Sequence, residues 1–124
     1  MTVYVGNAGT DAPAERGWLL GHFKPPGGPL HSTDVEIKWG VHPAGDRRAA
    51  WATGETRTAL LLLISGLFTL EFRDREVTLS RQGDYVVWGP GEDHSWHVPR
   101  DAVVLTVRWP SVPGWRLPAD SAAG

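Results

Sequence analysis

The chain has no cysteine, and that absence removes disulfide staples, thiolate zinc sites and cysteine nucleophiles together. It has no long apolar run either. The longest, Ala59 to Ile64, falls far short of the ~20 residues that a spanning helix needs. Basic runs are missing and the net charge is −2, which argues against nucleic acid or an anionic membrane as partner. No basic segment followed by an apolar stretch opens the chain, so no signal peptide is expected and the expected location is the cytoplasm. There is no internal repeat, and 124 residues suit one domain with its own core.

The chain is instead rich in 7 Trp, 15 Gly and 10 Pro. Glycine and proline at this density punctuate short strands and leave little room for long helices, so an all-β fold is expected. Residues 1–33 read as an irregular arm. Val3-Tyr4-Val5 is a candidate edge strand, Gly17 to Phe23 a strand or arm, and Lys24 to Pro29 a loop flanked by His22 and His31. Asp34 to His42 alternates, with Val35, Ile37, Trp39 and Val41 on one face and Glu36, Lys38 and His42 on the other. Ala59 to Ile64 is apolar on both faces, so it needs cover on both sides, and a homodimer is expected. Ser65-Gly66 reads as a hairpin turn into Leu67 to Phe72, followed by Glu76 to Leu79, Tyr85 to Trp88 and Ala102 to Trp109. Seven to nine short strands at this spacing point to a sandwich or barrel. The barrel is placed at 34–112 and a short tail at 113–124.

The chemistry concentrates in Gly83 to Val98, GDYVVWGPGEDHSWHV. A short strand breaks at Gly89-Pro90-Gly91 and delivers His94 and His97. In a straight strand, residues three apart point to opposite faces, so the two rings serve one site only if the backbone curls. Imidazole titrates near neutrality and suits acid–base work. Trp39 and Trp109 each complete an apolar strand face and read as core. Glu36, Lys38, Arg57 and Arg108 lie on or beside strands. Their ordinary reading is a solvated outer face with cross-strand ion pairs. The sharper reading turns them inward, where Lys38 or Arg108 binds a carboxylate or stabilises an enolate and Glu36 or Glu55 acts as base.

The order of strands and the spacing Gly83, Gly91, His94 resemble the second motif of the cupin superfamily, G-x5-P-x-G-x2-H-x3-N. Gly89 stands at the first proline position and Val98 at the asparagine. The first motif, G-x5-H-x-H-x3,4-E-x6-G, ends at Gly66. Its glutamate position falls on Ala59, and its histidine positions fall on Thr53 and Glu55 or on Ala52 and Gly54. The resemblance covers roughly residues 35 to 109 and implies a cupin-type jelly-roll β-barrel with an irregular N-terminal arm and a short C-terminal tail. It also implies a cavity lined near Trp51, Trp88 and Trp96, with aromatic walls suited to a small organic ligand. Cupins typically hold a transition metal with three histidines and a glutamate. Here only His94 survives, with Glu55 as a replacement, so no resident cofactor is expected and a divalent metal on His94 and Glu55 is the alternative. The expected function is small-molecule binding. It is either metal-free cyclase, isomerase or lyase chemistry, with His94, Glu55 and His97 moving protons, or binding alone. A metal-dependent oxygenase or isomerase with substituted ligands is the third reading. The ligand contacts are expected from Trp51, Trp88, Trp96, Glu36, Lys38, Arg57 and Arg108.

Overall fold

Two long strands, β3 (Thr58–Phe72) and β6 (His94–Trp109), pair antiparallel along almost their whole length. This is a computed structural model, and it describes residues 3–113. The remaining strands are β1 (Trp18–Leu20), β2 (Glu36–His42), β4 (Glu76–Leu79) and β5 (Tyr85–Trp88). They form one antiparallel sheet in the order β1-β2-β6-β3-β4, with β5 also paired to β3. β5 lies beside the first half of β3 and β4 beside the second half. The sheet is not closed. No helix among the described residues is long and apolar enough to cross a membrane.

The halves of β3 and β6 meet at an irregularity in register between Leu63 and Thr69. Gly66 sits there with φ +91°, and a Cβ at this position would overlap the carbonyl oxygen of Asp101. Only glycine permits both the backbone angle and the close approach. Ser65-Gly66 is therefore not a hairpin turn. It is a bend within one continuous strand, and Arg100-Asp101 likewise lies inside β6 and joins no two strands. Between the two halves lies the core, built on Leu63, Phe68, Leu70 and Val98, each at most 1 % exposed. Burial of such side chains contributes about 1.5–3 kcal/mol apiece.

Register sets which residues share a face. On the inner side, Glu36, Arg108, Ala59 and Trp88 make one row across β2, β6, β3 and β5, and Lys38, Thr106, Leu61 and Val86 make the next. On the outer side the rows are Trp39, Leu105, Leu62, Tyr85 and Ile37, Val107, Leu60, Val87. The charged face of β2 therefore points inward. Glu36, Arg57 and Arg108 are all buried, and the solvated outer face with ion pairs is corrected. Trp39 is half-buried and Trp109 is exposed on the opposite side, so neither belongs to the core. The alternation of β2 was real, but its inner side is the polar one.

The arm also contributes. Asn7 caps a single turn of helix α1 (Ala8–Asp11) by accepting from the Thr10 N–H. Val3 to Val5 forms no strand. Trp18–Leu20 does, and it extends the sheet by pairing with β2. The expected tail and Trp115 fall outside the described residues, apart from Pro113.

Candidate functional site

The inner rows carry a buried ionic chain. Arg57 grips Glu55 with two nitrogens, Nε at 2.8 Å and Nη2 at 3.0 Å, and places Nη1 2.6 Å from Glu36 Oε2. Arg108 Nη2 approaches the same oxygen at 2.8 Å. The other Glu36 oxygen accepts from Ser111 Oγ at 2.9 Å, and His22 Nδ1 lies 2.8 Å from that hydroxyl. Trp18 closes the chain, with the Arg108 guanidinium 4.7 Å and the Lys38 ammonium 5.3 Å from its ring. Two carboxylates and two guanidiniums thus neutralise each other away from water, with bidentate geometry on Glu55.

Burial pushes the Glu55 carboxyl up, but the hydrogen bonds and charge of Arg57 outweigh it, and Glu55 ends below the ordinary carboxylate value. Arg108 is pushed down to about 10 by burial and by the positive charge of Arg57. It remains a cation at neutral pH.

Beside this chain is a cavity of about 40 Å³, lined by Lys38, His42, Arg48, Glu55, Trp88, His94, Trp96 and Arg108 over an apolar base of Ala59 and Leu61. It holds a few waters or a small polar head group, well below the ~300 Å³ of a typical ligand pocket. The expected room for a flat organic molecule is thus reduced to a narrow slot. The loop before β3 is stitched to the turn that presents His94: Ala52 exchanges two backbone hydrogen bonds with His94, at 2.7 and 3.1 Å, and the Gly91 N–H donates to the Glu55 carbonyl.

His94 is 8 % exposed and its Nδ1 faces the Glu92 carbonyl at 3.2 Å. A carbonyl only accepts, so Nδ1 carries the proton and the neutral ring keeps its lone pair on Nε2. The ring packs against Trp88 at a tilt of 53°, with centroids 4.8 Å apart. Burial lowers its pKa, and the nearby Arg48 and Arg108 charges lower it further, against the carbonyl of Glu92 and the charge of Glu55. His94 is neutral at pH 7.

Of the expected site residues, the structure brings His94, Glu55, Trp88, Trp96, Lys38 and Arg108 to the cavity, with Glu36 and Arg57 buried behind it. His97 is not there. It projects from the other face of β6, 3.0 Å from Glu71, as the three-residue step from His94 requires. Trp51 is not there either and lies under the Arg73 guanidinium, 4.2 Å from ring centroid to Cζ. Sequence reasoning missed Arg48 and Ser111. No spacing marks Ser111, which reaches Glu36 only because the chain after β6 folds back across the arm, where the Ser111 N–H meets the Thr33 carbonyl.

Solved structures with this arrangement include an RmlC-like cupin from Shewanella frigidimarina, with TM-score 0.58 and 14 % identity over 65 % of this chain and 70 % of that one. KdgF from Halomonas sp. superposes with TM-score 0.58 and 19 % identity, covering 67 % of this chain and 74 % of its own. The chain has the cupin fold. A salicylate 1,2-dioxygenase variant from Pseudoaminobacter salicylatoxidans matches at TM-score 0.57 and 14 % identity, but this chain spans only 23 % of that protein. No family model and no curated protein matches the sequence.

The metal centre implied by the cupin resemblance does not fit these residues. The glutamate position is Ala59, an apolar lining residue at 1 % exposure. Glu55 spends both oxygens on Arg57. Ala52 offers only backbone, the other cavity imidazole, His42, has its Nδ1 2.8 Å from Asp46, and Lys38, Arg48 and Arg108 line the cavity around His94 with positive charge. A divalent cation needs several converging lone pairs in an environment that tolerates its charge. Among the described residues one other set brings three candidate ligand groups together: Glu71, Glu76 and His97 on the outer face, with ligand atoms within 4.8 Å of one another. Elemental analysis of the purified protein is expected to give substoichiometric transition metal, with folding intact after chelation. About one tightly held metal per chain, lost in His94→Ala, would overturn this reading of the cavity.

Proposed function

We propose that this cupin binds a small organic acid in the inner cavity, with His94 positioned to take a proton from it. One observation carries the reading. Trp88 Nε1 and Arg108 Nε are buried and have no hydrogen-bond acceptor, and both side chains line the cavity. A buried N–H without a partner costs about 1–3 kcal/mol, and a carboxylate oxygen is the acceptor that a site lined by Lys38, Arg48 and Arg108 favours. Glu55 does not compete as a base, because Arg57 holds it. The neutral His94 ring, with Nδ1 tied to a carbonyl, offers Nε2 as a proton acceptor of fixed direction.

The experiment is mass spectrometry of co-purifying acids, followed by calorimetric titration of the acid found. A bound anion raises the depressed His94 pKa, so binding takes up a proton. Affinity should therefore climb as pH falls toward and below about 6.5, the ordinary imidazole value. His94→Gln should flatten that slope. Trp96→Ala should weaken binding by about 1–3 kcal/mol if the ring contacts ligand. His94→Ala separates the two functions. In a binding protein it lowers affinity roughly tenfold, for one lost hydrogen bond. In an enzyme it leaves affinity nearly intact and reduces turnover by about 10²–10⁴. Affinity that rises with pH, or that ignores Arg108→Lys and His94→Gln alike, would place the ligand elsewhere.

A further inference from the structure

The inner cavity has a second imidazole whose acceptor looks into the space that His94 lines. His42 ends β2 on its inner side, in line with Lys38 and Gly40. Its Nδ1 lies 2.8 Å from Asp46 Oδ2. A carboxylate only accepts, so Nδ1 carries the proton and the neutral ring keeps its lone pair on Nε2. The ring packs against both Phe68 and Trp96, with centroids 5.6 and 4.7 Å away, and this fixes its direction. Asp46 is held as well: its N–H donates to the Pro43 carbonyl, and its own carbonyl accepts from the Val98 N–H on β6. Nε2 comes to rest over Gly40, where a Cβ would stand only 2.8 Å from it. Gly40 lines the cavity, so a residue without a side chain is what opens that space to His42.

We propose that His42 Nε2 accepts a hydrogen bond from a hydroxyl of the bound acid, which makes the ligand a short hydroxy acid. This rests on the reading of the cavity as an acid site and adds the ligand's second group. Lys38, Arg48 and Arg108 bring positive charge to the carboxylate, and the Trp88 indole N–H is a donor for it. An imidazole lone pair asks instead for a donor on the ligand, and a hydroxyl supplies one without charge. An ammonium would donate too. It would enter a cavity already lined by three cations, where Glu55 spends both oxygens on Arg57, and like charges at close range repel. The narrowness of the slot, about 40 Å³, keeps the acid short.

The test is calorimetric titration of the native chain with two matched pairs, glycolate with acetate and hydracrylate with propionate, and with free glycine as the ammonium probe. In at least one pair the hydroxy member should bind about 10-fold more tightly, the effect of one hydrogen bond, and free glycine should bind more weakly than glycolate. His42→Phe keeps an aromatic ring against Phe68 and Trp96 but removes the acceptor, so the preference should fall to about twofold or less. Asp46→Ala releases the ring and its tautomer and should lower the same ratio in part. The ratio within a pair is the readout, so a variant of reduced stability still reports on the contact. Acids that bind without preference, or a preference that survives His42→Phe, would overturn the hydroxyl contact and leave the acid site standing. Free glycine binding as tightly as glycolate would overturn the choice of a hydroxyl. Failure of all four acids to bind would overturn the acid site itself, and this contact with it.

Discussion

Glu36→Ala is expected to lower folding stability by about 3–5 kcal/mol, the usual result of removing one partner from a buried ion pair. Glu36 is 1 % exposed and receives Arg57, Arg108 and Ser111 at once. Its loss takes from the Arg108 guanidinium, whose pKa burial already lowers, the carboxylate that it contacts. Arg57 keeps Glu55 but loses its shortest bond. Glu36→Gln preserves the volume and still removes the charge, so it should recover only a fraction of the loss. Denaturant titration at fixed protein concentration measures both. A loss below about 1 kcal/mol for Glu36→Ala would mean that water reaches the chain freely, and the site described here would be wrong in its central feature.

Gly66→Ala should be nearly as severe. Its φ of +91° carries the ordinary strain of a left-handed side-chain residue, about 1–3 kcal/mol. The added methyl also meets Asp101 backbone and lies 2.6 Å from the Ala102 Cα, and backbone cannot rotate away. Gly45 supplies the comparison, since its φ is +90° and a Cβ there meets nothing within 4 Å. Gly45→Ala should show the strain alone, and Gly66→Ala should exceed it by at least ~2 kcal/mol. Equal losses in the two variants would remove the close crossing of β3 and β6 as the reason for glycine at the bend.

The strands were legible because alternation and turn residues act locally. β4 and β5 coincide with the expected Glu76 to Leu79 and Tyr85 to Trp88, and β2 ends at His42 as expected but starts two residues after Asp34. Alternation has a period but no sign, however. It groups Glu36 with Lys38 and Ile37 with Trp39, but it does not say which group faces the core. Hydrophobicity suggests the apolar one, and here that is wrong, because Arg57 and Arg108 arrive from elsewhere in the chain to neutralise Glu36. Gly66 failed for a related reason: a positive φ serves a turn and a bend equally well. The cavity residues divide by reach. His94 follows from its motif, and its separation from His97 follows from the strand period, whereas the part played by Ser111 depends on a return across the arm that no local pattern encodes.

The pairing of β3 with β6 has a consequence for how the chain acquires its shape. The two central strands are joined through β4, β5 and their connections, and β2, paired on one edge with the short β1, waits for β6 on the other. The two largest ladders, β3 with β6 and β2 with β6, therefore depend on segments distant in sequence, and such topologies fold in milliseconds to seconds instead of microseconds. During that interval Ala59 to Ile64, apolar on both sides and bare of charge, gains β5 on one edge but stays open on the other until the last strand is made. A ribosome releasing this chain exposes its stickiest segment well before β6 can cover it, so solubility during synthesis rests on how quickly the C-terminal third arrives.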